Sequence, residues 1–147
     1  MAEPLEILLV DDEPMIARSL SRYLELMNCR ISVCHDSDQA ARTAKSKTFD
    51  AIVADFDLPG TDGIALLKQC RQSNPSCRLI VATGDSGLLD NRASEDLSGI
   101  TVLTKPFDLD ALMEAIRKPL DAASEIKSGP GQAVERNMLA EQGGEPL

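Results

Sequence analysis

The sequence predicts an α/β protein, a three-layer αβα sandwich built on a doubly wound, five-stranded parallel sheet. Three observations carry this. Five apolar runs of about four residues alternate with five stretches of helical pattern, the arrangement that makes a parallel sheet with right-handed crossovers. Three of those runs are apolar at consecutive positions rather than alternating, as in strands covered on both faces. The length of 147 residues suits one domain of the usual ~100–200 residues with a tail.

The first run, Ile7–Val10, leads into a helix over Met15–Met27. There Ile16, Leu20, Tyr23, Leu24 and Met27 make one apolar stripe, and Pro14 stands near the start, where a missing N–H costs nothing. The second run, Ile31–Cys34, precedes a helix over Ser37–Ser46, with Ser37 as its expected cap and Ala40, Ala41 and Ala44 within it. The third, Ala51–Ala54, precedes a helix over Gly63–Gln72, capped by Asp62 and presenting Ile64, Leu67 and Cys70. The fourth, Leu79–Ala82, precedes the weakest helical pattern, Ser86–Leu97, which Gly84 and Gly87 dilute. The fifth, Ile100–Leu103, precedes a helix over Asp108–Lys118, with Asp108 as cap, Leu109, Leu112, Met113 and Ile116 on one face, and Phe107 set to staple against Leu112. Pro119 is expected to end or kink it. These elements make one domain over residues 1–123. In Ser124–Leu147, six of 24 residues are Gly or Pro, so this stretch is expected to be a flexible tail, with at most a short helical turn at Ala133–Gln142.

Aromatic residues are only 3%, so the core must be aliphatic. The net charge of −9, from 24 acidic and 15 basic residues, lacks the footprint that neutralises phosphates, so neither nucleic acid nor an anionic membrane is an expected partner of this domain. No apolar run approaches the ~18 residues of a membrane span. Met1-Ala2-Glu3-Pro4 has no basic n-region followed by a long apolar stretch, so no signal peptide and a cytoplasmic location are expected. Cys29, Cys34, Cys70 and Cys77 lack zinc-type CxxC spacing and are expected to act as small hydrophobes. His35 is the only histidine, which argues against a His-rich metal site or a Ser-His nucleophile.

The chemistry lies just beyond the strands. Asp11, Asp12 and Glu13 follow the first, Asp55, Phe56 and Asp57 the third, Thr83 and Gly84 the fourth, and Thr104, Lys105 and Pro106 the fifth. In a parallel sheet all of these gather at one edge. Carboxylates crowded within ~5 Å repel by about 3 kcal/mol per pair at an effective dielectric near 20, and such a cluster relieves itself by taking up a proton or a cation. A small set of oxygen ligands suits Mg²⁺. One carboxylate in this company can act as a nucleophile and form an aspartyl phosphate, with Lys105 and Thr83 available to the phosphoryl charge.

Four segments, Ile7-Leu8-Leu9-Val10-Asp11-Asp12-Glu13, Ala51-Ile52-Val53-Ala54-Asp55-Phe56-Asp57-Leu58-Pro59-Gly60-Thr61-Asp62-Gly63, Val81-Ala82-Thr83-Gly84 and Thr104-Lys105-Pro106-Phe107, resemble the receiver domain of two-component response regulators in order and spacing. The resemblance spans about residues 5–120. It implies a flavodoxin-like fold with strand order 2-1-3-4-5. It makes Asp55 the phosphoryl acceptor, Asp12 a direct Mg²⁺ ligand, Asp11 a ligand partly through water, and the Asp57 backbone carbonyl the third protein ligand. Thr83 would contact the phosphoryl group and switch rotamer, Lys105 would pair with that group, Gly84 would supply the small residue beside the acceptor, and the Lys105–Pro106 bond would be cis. The implied partners are a sensor histidine kinase or histidine phosphotransfer protein and a downstream protein target, with the chain a monomer or weak dimer. Two departures stand out. Val102 replaces the aromatic residue frequent three positions before the lysine, and Asp57 and Asp85 place acidic groups two residues after Asp55 and Thr83, where the lifetime of an acyl phosphate is set.

Two other functions fit parts of the pattern. Asp55-Phe56-Asp57 also resembles the nucleophile motif of haloacid dehalogenase-type phosphatases, but Asp11 and Asp12 precede it, where that family places its acidic pair later. A degenerate receiver acting only as an interaction module would not need the acidic, hydroxyl and lysine positions complete. Residues after 123 are too few for an output domain, so the expected form is a single-domain regulator or phosphorelay member, or the receiver portion of a longer protein.

Overall fold

The computed structural model describes residues 3–84, 97–118 and 126–127. Its elements in chain order are β1 (Leu5–Val10), α1 (Pro14–Leu26), β2 (Cys29–Cys34), α2 (Ser37–Ser46), β3 (Ala51–Asp55), β4 (Asp57–Leu58), β5 (Thr61–Asp62), α3 (Gly63–Ser73), β6 (Arg78–Thr83), β7 (Ile100–Thr104), α4 (Leu109–Arg117) and β8 (Ile126–Lys127). The main sheet has the order β2-β1-β3-β6-β7-β8, and every pairing in it is parallel. Its first five strands are the five apolar runs, in the order the resemblance implies.

The consecutive apolar positions now have their reason. Within β1, Leu8 and Val10 face one core, with α2 and α3, while Ile7 and Leu9 face the other, with α1 and α4. In β3, Ile52 and Ala54 join the first core and Ala51 and Val53 the second. A strand covered on both sides must be apolar at every position. Burying an aliphatic side chain of this kind stabilises by about 1.5–3 kcal/mol.

Helix ends follow local chemistry. Pro14 opens α1. Asp62 and Asp108 cap α3 and α4 by accepting from the N–H groups of Ala65 (2.8 Å) and Ala111 (2.7 Å). Ser37 is not the cap of α2. Asp36, with extended backbone, accepts from Gln39 N–H at 2.8 Å, and Ser37 is the first helical residue. Phe107 and Leu112 meet in the same apolar cluster, as a staple requires.

Two features escape the sequence pattern. The loop after β3 is a small antiparallel hairpin, β4–β5, in which Pro59 presets the first turn position and Gly60, at φ 88°, supplies the left-handed second. Ile126–Lys127, inside the stretch expected to be tail, pair with Val102 and Leu103 of β7. The remainder of that stretch, Pro119, and the Ser86–Leu97 helix apart from buried Leu97 lie outside the described residues. All four cysteines are free and buried, and burial pushes the thiols of Cys70 and Cys77 up to about 11, so they pack as hydrophobes. Among the described residues, no helix is long and apolar enough to cross a membrane.

Candidate functional site

The register of the sheet builds the site. Val10 lies level with Ala54, so Asp11 and Asp55 end adjacent parallel strands side by side. On the other flank Val10 lies level with Cys34, which puts His35 beside Asp11. Asp55 is level with Ala82, and Thr83 is level with Thr104, so Thr83 and Lys105 complete the same edge. This edge straddles the point where the strand order reverses between β1 and β3, the usual ligand crevice of such sheets.

One carboxylate oxygen each from Asp11, Asp12 and Asp55 lies within 4.8 Å of the others. Asp11 is buried, at 4% exposure, whereas Asp12 is exposed. Asp11 Oδ1 accepts from Glu13 N–H at 2.9 Å. Burial raises the Asp11 carboxyl above its ordinary range and the charges of Asp55 and Asp12 push the same way, against the Glu13 hydrogen bond and the Lys105 charge. Lys105 Nζ donates to Asp55 Oδ1 at 3.1 Å. Three carboxylates thus face one ammonium. The donor set is all oxygen, and its excess of negative charge around a half-buried edge is what a hard divalent cation neutralises, so the residues present fit such an ion.

Thr83 is buried at the end of β6, and its carbonyl accepts from Lys105 N–H at 2.7 Å, tying the hydroxyl and lysine positions together. The Lys105–Pro106 bond is cis. Asp57 lies in the β4–β5 hairpin with an exposed side chain that takes no part in the acidic cluster. Val102 is buried at 2% exposure in the core beside Val81. Asp85 lies outside the described residues. At Gly84 a Cβ would meet nothing within 4 Å, so the space there is open.

Three contributors were given no role at the site by the sequence. Gly63 opens α3 directly against the end of β3, where a Cβ would run into the Asp55 carbonyl and stand 3.0 Å from Phe56 Cα. This packing places the helix start under the Asp55 main chain, which Phe56 N–H→Ala82 O (2.8 Å) and Gly63 N–H→Phe56 O (2.8 Å) then fix. His35 contacts the Asp11 main chain, and only the order and register of β1 and β2 bring the two together. Finally, an apolar groove of about 430 Å³ runs from Asp11, Asp55 and Lys105 between α1 and the β7–α4 connection, along Ile16, Leu20, Phe107 and Leu109. Met15, at 83% exposure, and Leu109, at 38%, add exposed apolar surface on the same two elements.

Comparison with known proteins agrees with this fold. Residues 7–117 match the family model of the response regulator receiver domain. The response regulator ArlR of Staphylococcus saprophyticus is 33% identical over 115 residues, covering 78% of this chain and 52% of that protein. The chain spans about half the length of the curated relatives it matches. Among solved structures, the signal receiver domain of an HD domain-containing protein from Pseudomonas fluorescens is 31% identical with a TM-score of 0.69, over 82% of this chain and 96% of that one. The response regulator TrrA of Thermotoga maritima, solved in complex with Mg²⁺ and BeF, is 25% identical with a TM-score of 0.68, over 77% of this chain and 96% of that one.

Proposed function

This chain belongs to the response regulator receiver domain family of two-component signalling, and from that premise we propose that Asp55 is its phosphoryl acceptor and that it works as a switch rather than as an enzyme. The observation that carries this is the convergence of Asp11, Asp12 and Asp55 within 4.8 Å, with Lys105 at 3.1 Å from Asp55. Asp55 is the last residue of β3, and the next residue, Phe56, is held on both sides by its N–H to Ala82 and its carbonyl to Gly63, so Asp55 is a fixed nucleophile.

The donor is a phosphohistidine on a sensor kinase or phosphotransfer protein. An Asp55 carboxylate oxygen attacks phosphorus, a P–O bond forms, and the P–N bond to the imidazole breaks. The imidazole leaves with the electron pair and takes its proton from solvent. Asp11 and Asp12, with Asp55 and the Asp57 carbonyl, would hold Mg²⁺, which when bound neutralises the crowded carboxylates and the phosphoryl oxygens. Lys105 leaves Asp55 to pair with a phosphoryl oxygen, and the Thr83 hydroxyl donates to another. The apolar groove beside Asp55 accommodates an apolar side chain of the donor protein, and the charge of −9 makes nucleic acid an unsuitable direct partner of this region. Whatever the phosphorylated state contacts downstream is a protein reached through rearrangement near Thr83, because buried Val102 offers no aromatic ring to swing.

The test is incubation with Mg²⁺ and acetyl phosphate followed by intact-mass measurement. One phosphoryl mass is expected, labile to hydroxylamine, lost in Asp55→Asn and kept in Asp57→Asn. Turnover of many donor molecules per chain without accumulation of the adduct would favour phosphatase chemistry instead. No adduct at all would favour a receiver used only for contact.

A further inference from the structure

We propose that His35 is a positioning residue for the cation site, acting through the main chain of Asp11. The inference rests on the cation-binding assignment above and adds to it the one histidine that assignment does not use.

His35 Nδ1 lies 2.9 Å from the Asp11 carbonyl oxygen. A carbonyl can only accept, so Nδ1 carries the hydrogen, and it does so whether the ring is neutral or protonated. That carbonyl belongs to the peptide plane joining Asp11 to Asp12, so the ring fixes the plane from which both carboxylate side chains depart. The N–H of Asp11 is already held by the Cys34 carbonyl at 3.1 Å, and its carboxylate by Glu13 N–H at 2.9 Å. With His35 on the remaining main-chain group, Asp11 is fixed at three points. His35 is itself anchored, since its N–H donates to Gln39 Oε1 at 3.2 Å and Asp36 caps the same first turn of α2. The start of α2 is thereby coupled to the acidic pair that ends β1. Three mutually repelling carboxylates tend to splay apart, and a fixed peptide plane resists this, which lowers the reorganisation needed when a cation enters.

The test compares Mg²⁺ affinity, by calorimetric or NMR titration, across wild type, His35→Ala, His35→Asn and His35→Gln, with the melting temperature in EDTA as a control for folding. Asparagine carries its Nδ2 on Cγ, where histidine carries Nδ1, whereas the amide of glutamine lies one bond further out. His35→Ala and His35→Gln are expected to bind Mg²⁺ about tenfold more weakly, at the lower end of losses for groups supporting metal ligands. His35→Asn is expected within about threefold of wild type on the same scale. Wild-type affinity in His35→Ala, or rescue by glutamine and not by asparagine, overturns the inference alone. Failure of the wild type itself to bind Mg²⁺ overturns the cation site and this inference with it.

Discussion

Replacing Asp11 by asparagine is predicted to stabilise the metal-free protein. The oxygens of Asp11, Asp12 and Asp55 lie within 4.8 Å of one another, and two full charges at that distance repel by about 3.5 kcal/mol at an effective dielectric of 20. Lys105, 3.1 Å from Asp55, offsets much of the Asp55 contribution, and Asp12 is exposed and screened by salt. About 2 kcal/mol of repulsion and desolvation then remains on Asp11, and asparagine removes it while keeping an oxygen to accept from Glu13 N–H. For a domain of this size that raises Tm by about 6 °C. The sign with pH follows from the raised Asp11 carboxyl. Below the ordinary value of 3.8 the group is protonated in both folded and unfolded chains, and its destabilising effect grows as pH rises through the raised folded value. The advantage of Asp11→Asn should therefore be larger at neutral pH and shrink towards pH 4, as measured by paired thermal melts in EDTA. A Tm in EDTA at or below wild type, or a gain that does not change with pH, would refute this electrostatic account of the cluster.

Mg²⁺ should raise the Tm of the wild type by mass action, and Asp12→Ala should abolish most of that rise; an equal rise in both proteins would show that the ion binds elsewhere. Gly63→Ala should cost about 3 kcal/mol in denaturant unfolding and slow labelling by acetyl phosphate, because its Cβ displaces the Asp55 main chain, and wild-type stability would contradict that packing. Asn74→Ala should cost about 2–3 kcal/mol, since its buried amide bridges Phe49 N–H (2.8 Å) and the Ala44 carbonyl (2.6 Å) and its loss strands both; a cost under 0.5 kcal/mol would mean that water replaces it.

Much of the fold was legible because strands buried on both faces leave an unmistakable apolar run. Ile7–Val10, Ala51–Ala54 and Leu79–Ala82 each lie wholly inside a strand, and Asp62 and Asp108 were readable as caps from side-chain chemistry alone. The juxtaposition of Asp11, Asp12, Asp55 and Lys105 was legible because a parallel sheet delivers every strand end to one edge. What failed had no local signal. Asp36 and Ser37 are both good cap residues, and only the backbone geometry at Asp36 decides between them. The tightness at Gly63 depends on how β3 runs past the start of α3, and the sequence around it looks merely turn-like. His35 gains its partner only through the register of β2 on β1, a long-range property. The pairing of Ile126–Lys127 with β7 is long-range in the same sense, and Gly- and Pro-rich surroundings masked it.

The central claim is that Asp55 receives the phosphoryl group, and the most direct test is to locate the acyl phosphate. After labelling with acetyl phosphate and Mg²⁺, borohydride reduction converts a phosphorylated aspartate to homoserine, which peptide mass spectrometry places by residue. Homoserine at position 55, with Asp11, Asp12 and Asp57 unmodified, is the predicted result. Homoserine at Asp57 or at the Asp11–Asp12 pair, with position 55 intact, would contradict the account.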